Sequence, residues 1–318
     1  MKNNIINNII KECYKKESIL DKSYDDITNK ILDNIEKIDI SKFKFPKKKF
    51  DCIFYGGGLK GYYLFGAVVI LRKMIKSGKI KIRNYKCISI GVLAAIFILA
   101  EIPIHKMRNI YEFGKENNKL KLNNLLLKIC DEILPDNVHE LCNGKLNIVI
   151  SKLTSNGMKP EIVNNFKSKK DLLNIIYASC FIPYLTTNNI DGVKIKDDIY
   201  YDGAFTNSKL ITDNNDLPQL VFDTINVDYN YNNMFRLNDK YPELLMLKGV
   251  IEFEKFIKKI SSKKTKIENI PIEWIPAFTK NNNELIENIF YNIFIIFGYI
   301  LSYVVNIFNL IKNLYNKN

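Results

Sequence analysis

Asp51-Cys52-Ile53-Phe54-Tyr55-Gly56-Gly57-Gly58-Leu59-Lys60-Gly61 is the stretch that decides the fold. Cys52 to Tyr55 is a short apolar run stopped by three glycines, the pattern of a buried strand. From about Tyr62 to Lys76 the chain fits a helix that ends near Gly78. A glycine loop between strand and helix lets successive backbone N–H groups point into one concavity, at the positive end of the helix dipole. Such a nest holds a phosphate, a dinucleotide or the oxyanion of an acyl-transfer intermediate. Dinucleotide binding calls for an acid roughly twenty residues on, closing a second strand. That region reads Lys79-Ile80-Lys81-Ile82-Arg83 and contains no acid. A P-loop fails as well, because no Gly-Lys-Ser/Thr follows the glycines.

Outward from this stretch, strand and helix patterns alternate. Ile80 to Ile88 reads as a second strand, and Val92 to Glu101 as a mostly apolar helix ending before Pro103. Leu146 to Ile150 is another strand, Lys170 to Cys180 a helix stopped at Pro183, and Gln219 to Val227 a later strand. This alternation predicts an α/β domain with a largely parallel sheet. Residues 1–40 read as helical, with Leu20, Tyr24, Ile27, Ile31, Ile35 and Ile38 on one stripe. A basic linker with interleaved Phe, residues 41–50, leads into the first strand; it is either a contact surface for membrane or nucleic acid or a solvated lead-in. No internal repeat is present.

Cys87-Ile88-Ser89-Ile90-Gly91 also lies between a strand and a helix, where a strained turn exposes a serine hydroxyl beside backbone N–H donors. Such a turn wants small residues two before and two after the serine. Gly91 meets that need, and Cys87 stands at the other position. Tyr200-Tyr201-Asp202-Gly203-Ala204 is, taken alone, only a turn signal. Histidine bookkeeping changes its weight. Both histidines, His105 and His139, precede Asp202, so a triad in the order serine, acid, histidine is excluded. A base for Ser89 must then come from elsewhere, and a carboxylate serves if burial and a serine hydrogen bond tune its proton affinity.

Glycine nest, serine elbow and a late Asp-Gly-Ala, in that order and without histidine, resemble the patatin-like phospholipase family over about residues 50–210. Asp51 to Gly61 looks like the family's strand and glycine loop. Ser89 falls on the nucleophile of its GxSxG, and Asp202 on the acid of its DG[GA] motif. Tyr177-Ala178-Ser179-Cys180-Phe181-Ile182-Pro183 looks much like the corresponding stretch of animal patatin-domain lipases.

The resemblance implies a three-layer α/β fold, a central largely parallel sheet flanked by helices, with N- and C-terminal helical extensions. It divides the chain into an N-terminal extension, 1–48, a catalytic domain, 49–230, and a C-terminal helical region, 231–318. It also implies a Ser–Asp dyad acyl hydrolase of phospholipase A type, using neither metal nor cofactor, on phospholipid or acylglycerol. Ser89 would attack the ester, Asp202 would accept its proton, and the loop Gly56, Gly57, Gly58, Leu59, Lys60, Gly61 would hold the oxyanion. Lys60 would add positive potential near a headgroup, or is simply an exposed lysine at a helix start. The sequence also departs from the family. Cys87 and Ile90 put side chains where the elbow usually has Gly or Ala, and Phe205-Thr206-Asn207-Ser208 lacks the usual Asn-Pro. These departures motivate a second reading, a catalytically weak or inactive patatin-like protein that binds lipid or a protein partner.

Composition sets the outer bounds. The 318 residues carry 47 Lys plus Arg, 34 Asp plus Glu and two His, a formal charge of +13 with 47% hydrophobic residues. This is globular composition, neither disordered nor collagen-like. Two histidines leave little room for imidazole-based zinc chemistry. The basic excess suits anionic surfaces or solubility, and heavy use of Ile, Asn and Lys in motif-free stretches matches a base-composition bias. With neither an aromatic-basic platform nor a zinc module, nucleic acid is not an expected partner. Six cysteines without CxxC spacing and an N-terminus without a signal-peptide core predict an intracellular protein. Between Glu287 and Lys312 no charge occurs, a gap of about two dozen residues and long enough to span a bilayer as a helix. Asn292, Gly298, Ser302, Asn306 and Asn309 interrupt it, so segment 288–311 is either membrane-associated, at the cytoplasmic face, or a core helix.

Overall fold

The computed structural model describes residues 20–43, 45, 49–107, 121–206, 217–224, 242–262 and 272–274, together with Ile300 and Ile307. In chain order the elements are α1 (Leu20–Glu36), β1 (Lys49–Phe54), α2 (Gly61–Lys76), β2 (Lys81–Ile88), α3 (Gly91–Leu99), α4 (Leu122–Ile133), α5 (Val138–Cys142), β3 (Leu146–Thr154), β4 (Gly157–Val163), α6 (Lys169–Ser179), β5 (Val193–Ile195), β6 (Asp198–Asp202), β7 (Gln219–Phe222), α7 (Pro242–Ser262) and β8 (Ile272–Trp274). The expected strands and helices between residues 50 and 180 are present to within a few residues at their ends, while the last expected strand ends at Phe222, with residues 225–227 outside the described residues. The segment 288–311 lies outside the described residues apart from Ile300 and Ile307, as do residues 1–19. None of the described helices is long and apolar enough to cross a membrane.

The fold is α/β, with a mixed and mostly parallel sheet flanked by helices. Strand order is β5-β6-β3-β2-β1-β7-β8, with β4 on the other edge of β3. The run β3-β2-β1-β7-β8 is parallel, while β4, β5 and β6 are antiparallel additions. β1 explains the absence of charge from Cys52 to Phe54. Cys52 and Phe54 enter the main helix-covered core, whereas Ile53 packs with Ile88, Val149 and Val221 on the opposite face. α2 and α3 are buried along nearly their whole lengths in that core. α1 joins it through Ile31, Leu32 and Ile35, and α7 through Met246, Val250 and Phe253.

The one acid in the opening stretch has a structural role. Asp51 is fully buried at the start of β1, where Arg83 grips both its oxygens at 2.9 and 2.5 Å. That pair sits at the opposite end of the strands from the glycine loop. The described cysteines, Cys52, Cys87, Cys130, Cys142 and Cys180, are free and buried, as expected of small apolar side chains.

One feature of register positions the site. β2 pairs with β3 as far as Ile88↔Val149, and β6 pairs with the same edge of β3 from Ile150↔Asp202 onward. β4 occupies the other edge throughout. The parallel β2 and the antiparallel β6 therefore end head-on, against consecutive residues of one strand. Residues 89 and 202, more than a hundred positions apart in sequence, meet at that junction.

Candidate active site

Ser89 follows the last residue of β2 and precedes α3 by one residue. Its φ is +53°, a left-handed conformation that costs a residue with a side chain about 1–2 kcal/mol. Neighbours hold it there. The Ser89 N–H donates to Ser179 Oγ at 3.0 Å, and Ser179 Oγ donates to the Val149 carbonyl at 3.0 Å. The end of α6 thus ties the elbow to β3. α6 is set by its own start, where Ser168 Oγ accepts the Asp171 N–H at 3.1 Å and the Asp171 carboxylate accepts the Lys167 N–H at 2.9 Å. Gly91 is required by close approach, since a Cβ there would lie 2.5 Å from the Phe54 carbonyl oxygen and 2.7 Å from that of Tyr55. A Cβ on Gly56 would come within 2.9 Å of Ser89 Cβ, so the glycine loop is pressed against the elbow.

The two unusual elbow residues both pack against the main core. Cys87 lies in the main core on the far side of the strand from Ile88, and burial pushes its thiol pKa well up. Its side chain is accommodated among core residues and the turn still forms. Ile90 caps α3 and covers Gly61, where an added Cβ would meet its Cγ1 at 2.5 Å.

Asp202 ends β6 with its side chain fully buried. Its N–H donates to the Phe181 carbonyl at 2.9 Å, and its own carbonyl accepts Ser151 Oγ at 2.8 Å. Gly203 and Ala204 continue into a short 3-10 turn, and the Ala204 N–H donates to Asp202 Oδ1 at 2.8 Å. Burial raises the carboxyl pKa to about 7, against the opposing pull of the Ala204 N–H and the Ser89 hydroxyl. Among the described residues no group donates a hydrogen bond to Oδ2. Cys180 is the third group at this junction. Its thiol is raised by burial and by Asp202 and lowered by Ser89.

Gly58, Leu59 and Lys60 form a single 3-10 turn between β1 and α2, with Gly58 at φ +56°. The first N–H groups of such a helical run have no acceptor within it. Thr224 Oγ1 holds the loop from behind, donating to the Gly56 carbonyl at 2.6 Å. Lys60 corrects one expectation. It is only 2% exposed and so is not a solvent-facing lysine at a helix start, because the turn folds it inward. The two histidines lie elsewhere, His105 with its Nε2 3.5 Å from Asp33 of α1 and His139 beside Glu140 on α5.

Ser89, 8% exposed, opens on an apolar cleft shared with Gly58, Ile90, Cys180 and the inner face of α4. The cleft has about 610 Å³ of empty space including its open mouth. The sequence reading passed over α4, although Leu122, Leu125, Leu126 and Ile129 recur at helical spacing. It also assigned no role to Ser179, whose partners are 90 and 30 residues away. Ser179→Ala is expected to lower kcat of any reaction at Ser89 by about tenfold with little change in KM, because it loosens the nucleophile and leaves the cleft walls intact. Ser179→Thr should recover most of the loss. Equal rises in KM for both variants would instead indicate damage to the cleft.

No protein-family model matches the chain. Among curated proteins it is 23% identical over 178 residues to a 1-acylglycerol-3-phosphate O-acyltransferase of Mus musculus, 53% of this chain and 42% of that one. It is 25% identical over 166 residues to the omega-hydroxyceramide transacylase of Homo sapiens, 48% of this chain and 30% of that one. With patatin-like phospholipase domain-containing protein 4 of Homo sapiens it shares 24% over 176 residues, 51% and 66% of the two chains. The matches span about half of this chain and less than half the length of the first two of these relatives.

Proposed function

We propose, on the premise that this chain is a member of the patatin-like phospholipase family, that it is a serine acyl hydrolase of phospholipase A type acting on phospholipid or acylglycerol. The relatives carry acyltransferase, transacylase and phospholipase-domain names, which supports acyl transfer from lipid esters in general, to water or to a hydroxyl. One observation carries the reading. A strained serine and a buried carboxyl with one free oxygen end two strands that abut on β3, beside a glycine turn.

In the first step Ser89 Oγ attacks the ester carbonyl while Asp202 takes the hydroxyl proton. N–H groups of the Gly57–Gly58 turn stabilise the oxyanion, each worth about 2.7–4 kcal/mol in such sites. The C–O bond of the leaving alcohol breaks, the proton passes from Asp202 to that oxygen, and the acyl group remains on Ser89. Water then attacks the acyl-serine by the same route in reverse, releasing the acid.

Contact with a lipid surface is part of the proposal. Tyr184 and Leu185 are 60% and 44% exposed on the segment between Ile182 and Thr186, both of which line the cleft. Thr186 stiffens this rim, its hydroxyl accepting from the Ile182 N–H and donating to the Cys180 carbonyl, each at 2.9 Å. Tyr184 holds φ +59°, so the exposed ring is presented by a constrained backbone. The narrow enclosed space, with Ile90 over Gly61, favours a second reading in which lipid is bound without turnover.

The purified protein and Ser89→Ala should be offered phospholipid vesicles and a short-chain nitrophenyl ester, with a fluorophosphonate probe in parallel. The expected result is turnover of both substrates and a covalent adduct at Ser89, all absent in the variant. Vesicle binding with neither turnover nor adduct would replace the hydrolase with the binding protein.

A further inference from the structure

Asn123 begins α4 and is 1% exposed, yet it lines the same cleft as Ser89. Two bonds fix it. Its backbone N–H donates to the Thr186 carbonyl at 2.9 Å, and its Nδ2 donates to the Tyr177 carbonyl at 3.1 Å. The second bond sets the orientation of the amide, because a flipped carboxamide would face oxygen with oxygen. The remaining atom, Oδ1, is buried and takes no hydrogen bond from the described residues.

Among the described residues no side chain donates to that acceptor. Thr186, the neighbouring hydroxyl, is committed to Cys180 and Ile182. The walls are mostly apolar, with Phe65, Leu125, Leu126 and Ile129 among them, and the polar side chains that share the cleft are Ser89, Thr186 and Tyr62. An orphaned acceptor in an apolar cleft costs stability, which a ligand donor would restore. Cleft sites of this kind use a few placed polar groups to fix the orientation of an otherwise apolar ligand.

We propose that Asn123 Oδ1 is a substrate-recognition acceptor, taking a free hydroxyl or amide N–H that lies near the scissile ester. The inference rests on reading the cleft as an acyl-hydrolase site. It narrows the substrate class to lipids that keep a hydrogen-bond donor beside the ester, such as partially acylated glycerols, in preference to fully esterified ones. A fully esterified lipid would seal Oδ1 unpaired. That is the situation in which sites built around a hydrogen bond discriminate most strongly.

The test separates recognition from turnover by measuring binding in a Ser89→Ala background. The probes are a 1-acylglycerol and the same molecule with both hydroxyls methylated. The expected result is affinity about tenfold higher for the free hydroxyls, with the ratio falling to about one in Ser89→Ala plus Asn123→Leu. A long-chain N-acyl amino alcohol in a third arm shows whether an amide donor serves as well as a hydroxyl. Equal affinity for the two glycerol probes with Asn123 present overturns the inference, even if the Leu variant fails to fold. A ratio that survives Asn123→Leu does so too. Turnover of the nitrophenyl ester, which has no donor, tests the hydrolase reading separately.

Discussion

Asp202→Asn is expected to lower kcat by about a thousandfold or more and, above neutral pH, to stabilise the fold. The loss follows from chemistry, since a carboxamide cannot accept the Ser89 proton and the scale is that of a missing general base. The gain follows from where the acid sits. Its pKa is about 7 in the folded chain, raised by burial, against about 3.9 when unfolded. Between those values the folded chain keeps a proton that the unfolded chain has released. Stability from this group is therefore complete below about pH 4 and is lost as pH rises through 7. The asparagine has no such proton, so its stability relative to wild type should climb by about 2–3 kcal/mol between pH 5 and pH 7 and then level off. Denaturant unfolding of both proteins at three pH values reads this difference directly. Wild-type kcat/KM should rise over the same range, because the active form is the carboxylate. A flat stability difference would mean that the acid is not held protonated by burial, and a pH-independent rate would remove it as the base.

The same residue shows what a linear reading can carry. Periodicity gave β1, α2, β2, α3 and α6 because each keeps one face, or both, among apolar neighbours, and that constraint is written locally. Asp202-Gly203 looked like a turn because its meaning is set by register with β3, and register depends on Ser151 and its neighbours, 51 residues away. β4, β5 and β6 were not read for a related reason. β4, Gly157–Val163, lies at a sheet edge with exposed Lys159 and Pro160 side by side, and β5 is three residues long, so neither leaves a clear apolar period. Cys87 was weighed as an obstacle to the elbow. Strand alternation instead buries its side chain in the main core, on the face opposite Ile88, where there is room for it. Lys60 was weighed by its charge, and a single 3-10 turn decided its burial. The order of motifs was legible; the clamps that hold them, Ser179 and Asn123, were not, since a hydrogen bond across tens of residues has no signature in spacing.

Ser89→Gly and Ser89→Ala should both abolish turnover, by at least about a thousandfold, yet differ in stability by about 1 kcal/mol in favour of glycine. Both remove the hydroxyl, so lost contacts with Asp202 and Cys180 are common to the two. What differs is the backbone. At φ +53° alanine retains the steric cost of a Cβ close to the following carbonyl, and glycine does not. Glycine also loses more freedom on folding, which offsets part of the gain. The sign of the difference thus reports whether the strain is real and larger than that entropy. It also has a functional consequence, for a fold that surrenders stability to keep a side chain at this φ is using the turn to hold the hydroxyl against the glycine loop. If alanine proved as stable as glycine in denaturant unfolding, the elbow would be relaxed, and its geometry would no longer argue for a poised nucleophile.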